Sequence, residues 1–158
     1  MKQSFMTGFS FGLTSGVITP LGLMVGLNAG THSRLAVIGG IVTIAVADAL
    51  SDALGIHISE ESKNNGSVSE VWESTIAALL AKFLTSLTFL VPVLLLPLEE
   101  AVMVSMGWGL SLLVVLSYVL ARVQQVPAWK VIAEHVVIGV SVIVITYYVG
   151  DWIYSTLS

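Results

Sequence analysis

The chain has 158 residues, of which 56% are hydrophobic and 10% charged, with a formal net charge of −4 and no cysteine. A soluble domain carries about 25% charged residues to solvate its surface, so this composition, with a mean hydropathy of +0.95, predicts an integral membrane protein. Without cysteine there are no disulfides, thiolate metal sites or cysteine nucleophiles, and with no basic cluster a nucleic-acid partner is not expected.

The first predicted element is a transmembrane helix over residues 5–29, long enough to cross at 1.5 Å per residue. Its start, Met1-Lys2-Gln3-Ser4, reads as the beginning of a retained helix rather than a cleaved signal. Gly8, Gly12 and Gly16 form a four-residue ridge suited to close packing of another helix. Pro20 frees backbone carbonyls at mid-membrane depth, where protein or a wet cavity has to satisfy them. Thr14, Ser15 and Thr19 are candidate pathway-lining residues on this helix.

Asn28 to Ser33 reads as a turn, and a second helix is predicted over 34–57. Within it Asp48 and Asp52 are four apart, which places them on one helical face with Ser51 beside them. A carboxylate inside a membrane costs at least a few kcal/mol unless it is paired, protonated or cation-bound, so this stripe is the primary candidate site. Residues 58–69 are predicted as a short acidic loop carrying Glu60 and Glu61.

A third helix is predicted over 70–97, with Glu70 and Glu73 in its first turn behind Ser69. It is too long for one straight crossing, so its first turns are expected in water, Lys82 near the membrane surface, and a kink at Pro92. Helices over 101–122 and 128–154 complete five crossings in a single domain, with Glu134 placed to pair with Lys130. The inside segments hold Lys2, Lys63, Arg122 and Lys130, with Lys82 close by, and the outside segments only Arg34. This bias predicts the N-terminus in the cytoplasm, the C-terminus outside and the acidic loop cytoplasmic.

Several of these residues carry a resemblance. Ala49-Leu50-Ser51, Ala53-x-Gly55 and Ser59-x-x-Ser62 resemble the second-helix signature of the vacuolar iron transporter (Ccc1-type) family. Ser15-Gly16-Val17-Ile18-Thr19 is similar to its first-helix motif, Phe83 to Pro97 to its third helix, and Ala133 to Gly139 with Thr146 to Gly150 to its fifth. The resemblance implies an all-α, five-helix homodimer with its pathway at the dimer axis, exporting ferrous iron or manganese from the cytoplasm in exchange for protons. It also implies glutamates that collect metal on the cytoplasmic side. The sequence departs from the family where the family's first-helix aspartate is Ser15, its second-helix methionine is Asp52 and its following glutamate is Ile56. Asp48 is an added acid, and the metal-collecting domain shrinks to a short loop.

In such a dimer Asp48 and Asp52 supply four carboxylates around one axis. A divalent ion is attracted there, and protons relieve the same repulsion in its absence, so the two compete. Replacing methionine by aspartate makes the site harder, which suits iron(II) or manganese(II). The expected metal ligands are Asp48, Asp52, Glu60 and Glu61, with His57, Glu70 and Glu73 as weaker cytoplasmic collectors. No permanently bound cofactor and no enzymatic activity are expected; the partners are a second copy, divalent metal, protons and the bilayer, with the cell membrane of a prokaryote as the expected location. The alternatives are a structural role, each acid bonded to a hydroxyl of the first helix, and a membrane metal sensor or scaffold without transport.

Overall fold

A computed structural model describes residues 3–63 and 67–157. Among them the elements are all helical: α1 Gln3–Thr31, α2 Arg34–Glu61, α3 Val68–Thr88, α4 Leu90–Leu95, α5 Leu98–Gln124 and α6 Ala128–Leu157. Five spans, counting α3 and α4 together as Val68–Leu95, are long and apolar enough to cross a membrane. Lys2, used above for orientation, and residues 64–66 of the predicted loop lie outside the described residues.

Each boundary has a local cause. His32 adopts φ 50°, breaking α1, and Ser33 caps α2 by accepting from the Ala36 N–H. α2 continues through Glu60 and Glu61, so these acids are helical rather than in a loop. α3 begins before the predicted position: Ser67, not Ser69, is the cap, and its reciprocal hydrogen bonds with Glu70 form a capping box.

The third span keeps helical angles through Phe89 (φ −70°, ψ −16°), where its hydrogen-bond ladder lapses one turn before Pro92. A proline has no N–H for the carbonyl four residues earlier and crowds it. For Pro92 that carbonyl belongs to Thr88, the last residue of α3. The Arg34 guanidinium donates to the Leu96 carbonyl just past α4, tying this short helix to the start of α2.

α1 is the central element and packs on α2, α3, α5 and α6. Val17, Leu21, Met24 and Val25 of α1 are buried with Val37 and Ile41 of α2, Phe89, Val93 of α4, and Leu113 of α5. The predicted glycine ridge faces α3: a Cβ at Gly8 or Gly12 would collide with the carbonyl oxygens of Ser74 and Ala78, and one at Gly16 would lie 3.0 Å from the Lys82 Cα. Pro20 leaves α1 helical, and the Gly16 carbonyl it deprives accepts a long hydrogen bond, 3.4 Å, from Ser86 Oγ. Gly12→Leu is expected to cost more than the about 1–3 kcal/mol of ordinary overpacking, because backbone has to move. A large fall in the thermal unfolding midpoint in detergent checks this; an unchanged midpoint would mean α1 and α3 are not in contact.

Candidate cation site

The close approach of α1 to α3 carries Lys82 into the centre of the bundle. Lys82 is the fifteenth residue of its 28-residue span, and Asp48 and Asp52 are the fifteenth and nineteenth of the 28 residues of α2. The three therefore lie at similar depth, near mid-span. Lys82 is 1% exposed, which corrects its predicted place near the membrane surface. A charge at mid-span is stable only when opposite charge meets it at the same depth, and the α2 acids supply that.

Lys82 Nζ donates to Asp52 Oδ2 at 2.5 Å and to Ser15 Oγ at 2.8 Å. Asp48 Oδ2 also stands 2.5 Å from Nζ as an ion pair, though without hydrogen-bond geometry. Ser15 Oγ in turn donates to Asp52 Oδ2 at 2.7 Å. One ammonium thus joins α1, α2 and α3, and two carboxylates with one ammonium leave a net charge of −1. The acids are less enclosed than the lysine: the side chains of Asp48 and Asp52 are 33% and 19% exposed. The hydroxyl bond foreseen for a structural role exists, from Ser15 to Asp52, but the dominant partner of both acids is Lys82.

The remaining candidates divide. Glu60 pairs with Lys63 at 2.5 Å, and both line a polar cleft of about 250 Å³ with Ser4, Thr7 and Glu70. Two of the predicted collectors, Glu60 and Glu70, therefore share one cleft, although Glu70 Oε2 also accepts from the Ser67 N–H. Glu61 is exposed and Glu73 half-buried. His57 Nδ1 lies 3.0 Å from Thr75 Oγ1, whose own proton goes to the Val71 carbonyl, so Nδ1 is the donor. Among the described residues, no three His, Asp or Glu side chains converge as one metal-binding group.

Of the predicted lining residues only Ser15 touches the acids. Thr14 faces a small cavity against Leu116 and His135, Thr19 a groove against Val142 and Thr146, and Ser51 is exposed on the outer face of α2. Lys130 stands over the Trp129 ring, 5.6 Å from its centroid, instead of pairing with Glu134. The residue missed from sequence was Lys82, and its signal was a lone cation at the middle of a 28-residue apolar span. A scan against protein-family models found no match to this chain, and a search of curated proteins found no matching relative.

Proposed function

We propose that this protein exchanges a divalent transition metal, ferrous iron or manganese, for protons across a membrane, with Asp48 and Asp52 as its intramembrane ligands. The observation that carries this reading is the buried Lys82 ammonium, 2.5 Å from both acids. It occupies the place a cargo cation would take, so the ligands remain neutralised while no metal is bound. Metal and ammonium cannot share the site without strong repulsion, so loading the cation requires Lys82 to lose its proton or withdraw.

One copy offers two carboxylates and a hydroxyl. A second copy meeting it across the exposed side of α2 would bring the acids to four. With the N-terminus cytoplasmic, the Glu60 and Glu70 cleft lies on the side from which metal is loaded.

Asp52→Asn is expected to abolish uptake of manganese into sealed vesicles while the protein stays folded, because the acid that receives both the Lys82 and Ser15 hydrogen bonds loses its charge. Undiminished uptake would remove Asp52 from the pathway. A second reading, a non-transporting metal sensor or scaffold, is favoured by the same ion pair, since Lys82 already satisfies both acids. It predicts no flux in wild-type protein.

A further inference from the structure

A separate cavity of about 420 Å³ opens between the end of α1, the start of α5 and the later turns of α6. Its walls include Val25 and Asn28 of α1, Glu99 and Val102 of α5, and Tyr147 and Tyr148 of α6. Asn28 is thirteen residues beyond Ser15, about 20 Å along the helix at 1.5 Å per residue, so this cavity is distinct from the Lys82 cluster.

Two acceptors at this cavity bear on its ligand. The Asn28 carboxamide is oriented with Oδ1 buried and without a hydrogen-bond partner, and the Glu99 side chain contributes a carboxylate. The Asn28 NH2 and the tyrosine hydroxyls can donate, but the buried Asn28 Oδ1 meets no donor, so a ligand that satisfies it donates, and the exposed Glu99 carboxylate favours a positive charge. Tyr147 and Tyr148, with centroids 5.6 Å apart and planes at 78°, present ring faces and edges at the same mouth, a setting in which ammonium groups gain cation–π attraction. The volume is far larger than a bare metal ion needs, and the apolar walls call for an organic body. Both tyrosines are exposed on the outer side of α6, 49% and 65%, so the cavity is open on that side.

We propose that this cavity binds the ammonium group of an amphiphile, seated between Glu99, Asn28 and the two tyrosine rings with its apolar part along Val25 and Val102. The chemistry is shared by an amine-bearing phospholipid headgroup and a free lipophilic ammonium ion. The site stands independently of the cation exchange proposed above.

The test is thermal unfolding of the full chain in detergent, followed by tryptophan fluorescence, against phosphatidylethanolamine, phosphatidylglycerol of the same acyl chains, and benzyltrimethylammonium. A saturable rise in midpoint with phosphatidylethanolamine and not phosphatidylglycerol identifies a lipid headgroup; a rise with benzyltrimethylammonium alone identifies a free organic cation. In either case Glu99→Gln is expected to abolish the shift, and Tyr148→Leu, which removes an exposed ring, to weaken it severalfold. Equal shifts with both lipids that persist in the two variants, or no shift with any of the three, would overturn the proposal.

Discussion

Lys82→Met is expected to destabilise the protein by about 3–5 kcal/mol, the usual cost of removing one partner from a buried ion pair. The loss comes less from the missing contacts than from what stays behind, because Asp48 and Asp52 would face each other near mid-span with no counter-charge. At about 2–4 °C per kcal/mol for a chain of this size, the unfolding midpoint in detergent falls by about 10 °C. Neutralising the acids as well, in Asp48→Asn/Asp52→Asn/Lys82→Met, is expected to recover most of the loss, since no unpaired charge then remains. Manganese is expected to do the same for the single variant by supplying the missing charge, worth about 2.7 kcal/mol at one hundred times its dissociation constant. Wild type gains much less, because its own ammonium competes. A single variant as stable as wild type would show that the acids do not depend on Lys82.

The second large effect concerns coupling. Within one copy, with Lys82 charged the site carries −1 and a divalent ion brings it to +1; two copies sharing one ion go from −2 to zero, so the repulsion between ion and ammonium rather than the net charge decides. At 4 Å and an effective dielectric constant of 20, a divalent ion and an ammonium repel by about 8 kcal/mol. That is several powers of ten in occupancy. Metal loading is therefore expected to expel a proton from Lys82, and Lys82→Met is expected to shrink the proton movement that accompanies metal to what the acids themselves exchange. Manganese would still bind, held more tightly by the unneutralised acids and released more slowly, with a smaller accompanying pH change.

Much of this arrangement was legible in the sequence because it depends on local pattern. The five spans follow from apolar length and the shared face of Asp48 and Asp52 from their spacing of four; of the turn expected over Asn28 to Ser33, only His32 and Ser33 leave the helix, Asn28 to Thr31 staying in α1. The glycine ridge announced a close neighbour but not which one. That missing fact hid the site: Lys82 reaches the acids only because Gly8, Gly12 and Gly16 let α3 approach α1, and the register between two helices 67 residues apart is a tertiary property. Read alone, a lysine in a long span is equally compatible with snorkelling to the surface.

Smaller misplacements have similar causes. Thr14, next to Ser15, turns about 100° away toward α5 and α6, and Thr19, one turn on from Ser15, lies beyond the depth of the acids in a groove against α6. The start of α3 moved because Ser67 and Glu70 form the capping box that Ser69 cannot, and α2 ran on through Glu60 and Glu61 because nothing in those residues stops a helix.

The most direct test is to reconstitute the purified protein in liposomes containing a metal-quenched dye and a pH dye, add manganese outside, and record both signals for wild type and Lys82→Met. Manganese entry with simultaneous proton exit in wild type, and a reduced proton signal in the variant, is the predicted result. No manganese entry from folded wild-type protein, or entry with the same proton signal in both proteins, would contradict an exchange site built on Asp48, Asp52 and Lys82.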